Sequence, residues 1–235
     1  MKPFRCLLLA GCLGLSIATS ALAAAPYVTG KMMDIAALMP PPPIQNSPED
    51  KADLQAVIDA QAQASDARKA QTVFDSDESV YVVFGQQLGP KFQPAALPLT
   101  SAFFARIGAS EDDTLDAAKP AFARLRPWLG HPEAVKAIAK PTKSGSYPSG
   151  HTTRVAIYAI VMSEMVPEKQ REFWLRAQDY VQSRVIGGMH YPTDISSGWR
   201  AGTAMAAVMM TQPGFRADME AARIELRGVL GLPAK

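Results

Sequence analysis

The sequence predicts an all-α protein, and two observations carry this prediction. Apolar residues recur at helical spacing in several segments, whereas a single run, 79–84, consists of residues that favour strands. The clearest helical stripe follows His151 and consists of Val155, Tyr158, Ala159, Met162 and Val166. Because one strand cannot form a sheet, we expect helix or irregular structure over 79–84 and a compact helical bundle overall.

Residues 1–23 have the features of a secretory signal that is removed. Lys2 and Arg5 precede an apolar run, and the small residues Ala21 and Ala23 frame a cleavage site after residue 23. A membrane anchor fits less well, because small and hydroxyl residues interrupt the run and it is short for a bilayer span. Lipid attachment at Cys12 ranks second, because its apolar stretch is shorter than the about 7 to 15 residues expected.

The length and amino-acid composition of the chain exclude several classes of function. The chain has 235 residues, 48% of them hydrophobic, which is enough for one domain with a sizeable core. Both cysteines, Cys6 and Cys12, lie in the signal, so the mature protein would have no disulfide and no thiol nucleophile or ligand. Without Lys2 and Arg5, the 24 basic residues become 22 and equal the 22 acidic ones, which argues against nucleic-acid binding.

We expect the chain to divide into a proline-rich lead-in, 24–46, and a single helical domain, 47–235. A first helix begins after the cap Ser47 and is expected to reach about Gln71. Further helices are expected over 101–107, 114–125, 133–139, 168–184, 195–210 and 215–229, and one from the cap Ser149 to Val166. The segment 119–154 holds seven basic residues and one acidic residue, a balance suited to anions. No later segment offers eighteen uninterrupted apolar residues, so we expect no membrane insertion after cleavage of the signal.

Three short motifs follow one another: KPAFARLRP, PSGH and SRVIGGMHYPTD. Their polar and small residues of interest are Lys119, Arg126, Ser149, Gly150, His151, Arg184, His190 and Asp194. Taken singly, the first motif is explained by a solvated helix face, the second by a helix cap and the third by a structural hydrogen-bonded pair. Together they supply three cations, a helix N-terminus and two histidines, which are the groups needed to hold and cleave a phosphate ester.

Each residue type suits this chemistry. Arg126 and Arg184 can each bind phosphate oxygens through bidentate hydrogen bonds, and Lys119 adds a point charge. The backbone N–H groups of Ser149, Gly150 and His151, at the start of a helix, are expected to add donors and a favourable dipole. Gly150 has no side chain to keep a phosphate away from the backbone.

The ordered motifs resemble those of the type 2 phosphatidic acid phosphatase superfamily, KxxxxxxRP, PSGH and SRxxxxxHxxxD, and all three match without a substitution. The longer run GSYPSGHT and the signal are similar to the class A bacterial non-specific acid phosphatases in particular. The resemblance extends from about Ser47 to the C-terminus. It implies the helical-bundle fold shared with vanadium haloperoxidases.

The resemblance also implies roles for these residues. His190 would attack phosphorus and form a phosphohistidine, with Asp194 fixing its tautomer, and His151 would protonate the leaving alcohol and then activate water. Phosphate would be bound by Lys119, Arg126, Ser149, Gly150 and Arg184. No cofactor or metal is implied, and the third histidine, His131, is assigned to a surface loop. A protonated His151 beside a neutral His190 predicts a pH optimum on the acid side of neutral.

Several functions remain open at this point. The favoured one is a periplasmic phosphatase for phosphate monoesters of small molecules, with phosphotransfer when an alcohol replaces water. A nucleotide or lipid diphosphohydrolase would use the same site. A vanadium-dependent haloperoxidase is less consistent with the short chain, and a binding module with an idle pocket is the non-enzymatic alternative. Because members of the class are often multimeric, we also expect a homo-oligomer.

Overall fold

The computed structural model describes residues 25–142 and 144–233, and within these ranges the chain forms helices joined by turns and loops, without a strand. The α-helices are α1 (Ile35–Leu38), α2 (Pro48–Gln63), α3 (Asp66–Phe74), α4 (Val80–Leu88), α5 (Pro98–Phe122), α6 (Pro127–Gly130), α7 (Gly150–Met165), α8 (Gln170–Ile186), α9 (Pro192–Thr211) and α10 (Pro213–Leu230). Short 3-10 helices lie at Pro94–Ala96 and Pro167–Lys169. The all-α prediction is confirmed. The expected signal, 1–23, with Cys6 and Cys12, lies outside the described residues.

The N-terminal helical segment is divided in two, so the expectation of one helix to Gln71 is wrong. Helix α2 starts as expected, because the Ser47 side chain accepts from the Asp50 N–H, but it ends at Gln63. Ala64 is extended, and the Ser65 side chain accepts from the N–H of Arg68 to cap α3. A second N-cap residue inside the helical pattern therefore breaks it.

The strand-like run 79–84 is helical and begins α4. The Ser79 side chain caps it by accepting from the Tyr81 N–H. Val80, Val83 and Phe84 are buried, and because they are at positions i, i+3 and i+4 they share one face of a helix. Packing of this face outweighs the intrinsic preference of valine for strands, and of the two conformations left open the helix is confirmed.

Helix α5 is continuous, so the separate helices expected over 101–107 and 114–125 are wrong. Of the polar residues between them, Ser110 and Glu111 are buried, and the helix continues through all of them. The Ser110 hydroxyl donates to the Arg106 carbonyl and accepts from the Tyr27 N–H in the lead-in, at 2.8 Å in both cases. The lead-in thus provides a hydrogen-bond partner for Ser110, a polar residue that the sequence pattern places in a break between two helices.

The helix expected around 133–139 is also wrong. A single turn forms there, in which the Val135 N–H donates to the His131 carbonyl. The next residues leave the helix because the Ile138 N–H donates instead to the Gly187 carbonyl, in the loop after α8. The short α6 and α1 were not anticipated, since four residues are too few for a periodic pattern.

The C-terminal helices agree with the prediction to within a few residues, and α7 starts after the cap Ser149 as expected. Helix α7 is the centre of the bundle and packs against α5, α8, α9 and α10. Helix α9 approaches it closely at Gly198, where a Cβ would lie 2.7 Å from the Thr152 Cβ and 2.8 Å from the Ser149 carbonyl oxygen. This close approach brings the start of α7, with the PSGH motif, beside the start of α9. No helix in the described ranges is long and apolar enough to cross a bilayer.

Candidate active site

The third motif forms a buried turn between α8 and α9. Arg184 lies in the last turn of α8, His190 in the connecting loop and Asp194 in the first turn of α9, and none of them is more than 1% exposed. The turn requires Gly188, whose φ is +72° and where a Cβ would lie 2.5 Å from the Lys136 carbonyl oxygen. The loop therefore keeps all three side chains buried where α8 ends and α9 begins.

The hydrogen bonds of His190 define its tautomer. Nδ1 lies 2.8 Å from the Ser146 carbonyl oxygen, which can only accept, so Nδ1 carries the proton. Nε2 lies 2.9 Å from Nη1 of Arg126, which can only donate. The Nε2 lone pair therefore points towards Arg126. Burial, followed by the nearby charges of Arg126 and Arg184, holds the pKa of His190 well below its ordinary value, so the ring is neutral.

Asp194 acts on His190 mainly through Ser146. The carboxylate oxygen Oδ2 is 3.6 Å from Nδ1 of His190, beyond hydrogen-bond distance, whereas it accepts from Ser146 Oγ at 2.5 Å and from the Tyr191 N–H at 2.8 Å. Burial raises the pKa of Asp194, and Arg124 is the largest influence that opposes this rise. Ser146, which the sequence reasoning did not single out, thus joins the carboxylate to the imidazole.

Arg124 is a second residue that the sequence reasoning missed. Its guanidinium donates to Asp194 Oδ1 at 2.7 Å and to Asp53 Oδ2 at 2.8 Å, and it contacts Asp50 at 3.2 Å. It joins helix α2 to the first turn of α9. The available signal was its place inside KPAFARLRP together with two acidic residues three apart on α2.

Two guanidinium groups, those of Arg126 and Arg184, lie close together, and the hydrogen bonding of Arg184 is incomplete. Burial and then the charge of Arg184 lower the pKa of Arg126 to about 10, and burial lowers that of Arg184. Nε of Arg184 is buried and has no hydrogen-bond partner among the described residues, and its Nη1 reaches only the Asp75 carbonyl, at 3.4 Å. Two repelling cations with an unfilled donor form a site that an anion would stabilise.

The second motif forms the start of α7. Ser149 is the cap: its side chain accepts from the Thr152 N–H, and its own N–H donates to the Asp194 carbonyl at 3.1 Å rather than facing a ligand. Within the part of the chain that the structure describes, no acceptor contacts the N–H groups of Gly150 and His151. A Cβ on Gly150 would lie 2.8 Å from Oε1 of Glu111 and 3.7 Å from Nζ of Lys119.

His151 is partly exposed, at 19% of its side chain. Its Nδ1 lies 3.5 Å from Oε2 of Glu78, and its Nε2 lies 3.3 Å from the Ser76 carbonyl oxygen. Burial, Arg184 and His190 together place the pKa of His151 well below its ordinary value. With pKa values lowered in this way, both histidines are neutral.

A cavity of about 450 Å³ joins these groups. Five of the predicted site residues line it, namely Lys119, Arg126, Gly150, His151 and Arg184. Ser149, His190 and Asp194 lie behind this wall and are buried. His131 does not line the cavity, and 36% of its side chain is exposed, in keeping with a surface loop.

Acidic side chains also line the cavity, which the sequence reasoning did not anticipate. They are those of Glu78, Glu111 and Asp112. All three carboxylates contact one guanidinium, that of Arg154, three residues after His151 on α7. Burial raises the pKa of Glu111 to about 7 despite the opposing effect of Arg154. In the described ranges, no three or more histidine, cysteine and acidic side chains are grouped so that they could hold a metal ion.

The sequence model of the PAP2 superfamily matches residues 97–218, a range that contains all three motifs. The chain belongs to the PAP2 superfamily. The expected bundle architecture is thereby confirmed, and the shared motifs are the ones that the structure gathers around the cavity.

Curated members of the superfamily are similar over most of the chain. The non-specific acid phosphatase of Salmonella typhimurium is 31% identical over 207 residues, covering 84% of this chain and 82% of the relative. The acid phosphatase of Zymomonas mobilis is 30% identical over 192 residues, covering 79% and 73%. The non-specific acid phosphatase of Providencia stuartii is 29% identical over 237 residues, covering 91% and 94%. The resemblance to non-specific acid phosphatases is confirmed.

Proposed function

We propose that this PAP2 superfamily member is an acid phosphatase that hydrolyses phosphate monoesters of small molecules through a phosphohistidine on His190. The observation that carries the proposal is the buried pair of Arg126 and Arg184, which line the cavity together with Gly150, whose N–H has no acceptor among the described residues. Relatives named acid phosphatases support it.

Binding of the phosphate would rearrange the donors around His190. The oxygens of the phosphate accept from Arg126, Arg184 and the Gly150 N–H, with Lys119 adding charge and the Ser149 hydroxyl a further donor. When Arg126 donates to a phosphate oxygen, the Nε2 lone pair of His190, 2.9 Å away in the empty site, becomes free to attack. Ser146 and Asp194 keep the proton on Nδ1.

The reaction then has two balanced steps. Nε2 of His190 bonds to phosphorus while the ester P–O bond breaks, and His151 donates a proton to the departing alcohol oxygen. A water molecule then attacks phosphorus, His151 takes one of its protons, and the N–P bond breaks to release inorganic phosphate. An alcohol in place of water would give a new ester, which is the phosphotransferase activity.

The pKa directions support activity in acid. His190 stays neutral below its ordinary pKa and so remains a nucleophile. His151 needs a proton. Burial and then the charge of Arg184 lower its pKa, and a bound phosphate dianion would offset the charge of Arg184 and raise the pKa again. We therefore expect turnover to decline as pH rises above neutral. A rate that keeps increasing above about pH 8 would contradict this assignment.

Trapping the intermediate tests the proposal. The experiment compares the wild-type protein with His190→Ala, His151→Ala and the surface control His131→Ala. Each protein is mixed with an aryl phosphate and quenched in alkali, where phosphohistidine survives. The mass of the intact protein is then measured. Wild type and His131→Ala should carry a phosphoryl group, and His190→Ala should carry none. His190→Ala should still bind inorganic phosphate. Normal turnover by His190→Ala would exclude the mechanism.

Secretion to the periplasm is part of the proposal and rests on the sequence of residues 1–23. Expression of the full chain in a Gram-negative host, followed by osmotic release and intact mass measurement, tests it. We expect a protein that begins at Ala24 in the released fraction. A membrane-bound form carrying lipid on Cys12 would replace this proposal with the lipoprotein alternative.

A further inference from the structure

The loop between α3 and α4 borders the active site, although it lies outside the three motifs. The Asp75 carbonyl accepts from Nη1 of Arg184 at 3.4 Å, and the Ser76 carbonyl oxygen lies 3.3 Å from Nε2 of His151. Oε2 of Glu78 lies 3.5 Å from Nδ1 of the same imidazole. This loop therefore contacts both ring nitrogens of the residue that the proposed mechanism uses as acid and base.

Helix α8 holds the loop in place. The Ser183 hydroxyl donates to the buried Asp75 carboxylate at 2.5 Å. The Tyr180 hydroxyl donates to the Asp77 carbonyl at 3.1 Å, and the Tyr180 ring is stacked on that of His151, with 18° between the two planes. The loop thus presents its polar groups to His151 from a fixed position.

The Ser76 carbonyl determines which nitrogen of His151 can exchange a proton. A carbonyl oxygen can only accept, so Nε2 carries a proton in both the neutral and the charged ring. Nδ1 is therefore the atom that gains and loses a proton. In the proposed reaction it gives this proton to the ester oxygen and later takes one from water.

Glu78 lies where its charge favours a proton on Nδ1 of His151 without binding that proton. The 3.5 Å between Oε2 and Nδ1 is an ion-pair distance but is long for a hydrogen bond. The negative charge stabilises the imidazolium, whereas the Nδ1 proton remains available to the ester oxygen. The other carboxylate oxygen, Oε1, lies 3.4 Å from Nη1 of Arg154, which holds the side chain against α7.

The other influences on His151 mostly oppose its protonation. Burial, and then the charges of Arg184 and His190, lower its pKa, the Ser76 carbonyl raises it, and Arg154 lowers it further. The remaining charged side chains that line the same cavity are Lys119, Arg126, Lys140, Glu111 and Asp112. Among the described residues, Glu78 is the carboxylate that forms an ion pair with His151.

We infer that Glu78 is a positioning residue for the reaction, which acts through His151 by keeping a proton on Nδ1 for the departing alcohol. This inference rests on the proposed function, since it takes His151 to be the acid. Glu78 should matter most for esters whose alcohol leaves poorly, because that alcohol oxygen needs a proton in the transition state. An aryl ester with an acidic phenol needs this proton much less.

The test compares kcat/KM for ethyl phosphate, which has a poor leaving group, with kcat/KM for para-nitrophenyl phosphate, which has a good one. This quantity covers the steps up to the phosphohistidine, so hydrolysis of that intermediate does not enter. In Glu78→Gln, the ratio of the ethyl to the nitrophenyl value at about pH 7 should fall about fivefold, the size expected for loss of a partly exposed ion pair. The decline of kcat/KM for ethyl phosphate with rising pH should also begin at a lower pH, because the imidazolium has lost its anion.

The matched control is Asp112→Asn. Asp112 also lines the cavity and contacts Arg154, at 2.7 Å, but in the described part of the chain it forms no ion pair with His151. This variant should keep the wild-type ratio and pH profile, which separates the contact with His151 from the loss of a carboxylate beside Arg154. Inhibition by inorganic phosphate should match wild type in both variants, since neither residue is assigned to the phosphate.

Three results would overturn the inference: an unaltered ratio in Glu78→Gln, the same change in Asp112→Asn, or weaker inhibition by phosphate in Glu78→Gln. In each case, a phosphohistidine formed by the wild-type protein still upholds the proposed function. A wild-type protein that hydrolyses nitrophenyl phosphate without forming a phosphohistidine would overturn both.

Discussion

Nη1 of Arg126 donates a hydrogen bond to Nε2 of His190 at 2.9 Å, so the atom expected to attack phosphorus is held by the cation expected to bind it. The Arg126 guanidinium also donates to the carbonyl and hydroxyl of Ser144 and to the carbonyls of Gly145 and Met189. These bonds fix Arg126 against the loop that precedes α7, so in the proposed mechanism the bond to His190 is the one exchanged when phosphate binds. The same side chain would then couple binding of the anion to release of the nucleophile.

Arg126→Lys should lower kcat/KM for an aryl phosphate by about a hundredfold. A lysine keeps the charge, but it cannot contact Ser144 and a phosphate oxygen with a fixed fork. Steady-state kinetics measure the effect, with the exposed Arg200→Lys as the matched control, which should behave as wild type. Equal activity of the two variants would show that position 126 supplies charge alone.

Gly150→Ala should raise KM for phosphate esters and weaken inhibition by inorganic phosphate by about tenfold. The new Cβ would lie 2.8 Å from Oε1 of Glu111, so the buried carboxylate or the start of α7 must shift, which displaces the N–H that faces the phosphate. Each tenfold loss corresponds to about 1.4 kcal/mol, a modest displacement of one donor.

The control for this variant is Gly214→Ala, in the first turn of α10. A Cβ there meets nothing within 4 Å. It should leave KM unchanged and stabilise the protein slightly, because alanine favours the helix. If Gly150→Ala matches it in KM, the small residue at position 150 is not needed for phosphate binding.

The sequence predicted the phosphate side of the cavity more completely than the acidic side, for a physical reason. Lys119, Arg126, Gly150, His151 and Arg184 fall in three contiguous motifs, so their spacing is visible in the chain, and all five line the cavity. Glu78, Glu111 and Asp112 reach the cavity from the residue before the cap of α4 and from the middle of α5, and only tertiary packing brings them together.

The same distinction holds for the helices. Helices α8, α9 and α10 have their own caps or prolines and periodic faces, and their bounds were predicted closely. The misjudged segment within α5 depends on a long-range contact, the bond from Tyr27 N–H to the Ser110 hydroxyl. A local pattern cannot reveal that a polar residue will find a partner 83 positions away.

Arg124→Met should destabilise the protein by about 3–5 kcal/mol, because it leaves the buried carboxylates of Asp53 and Asp194 without their cation. Urea denaturation measures the free energy of unfolding. The loss should be smaller at about pH 5 than at pH 8, since burial raises the pKa of Asp194 and its protonation removes one of the unpaired charges. Arg216→Met, on the exposed face of α10, is the control. An equal and pH-independent loss in both variants would contradict a role for the ion pairs.

Glu111 should make the protein more stable in acid than at neutral pH. Its carboxyl has an ordinary pKa of 4.5 but a pKa of about 7 in the folded protein, where burial favours the neutral form. The folded state therefore binds a proton that the unfolded state has lost between these values, and stability falls as pH rises from about 4.5 to about 7. The contribution is about 3 kcal/mol at most.

Denaturation at several pH values should show this decline in wild type and in the surface control Glu133→Gln, and a smaller one in Glu111→Gln. A decline of the same size in Glu111→Gln would assign the pH dependence to other groups, such as Asp194, whose pKa burial also raises.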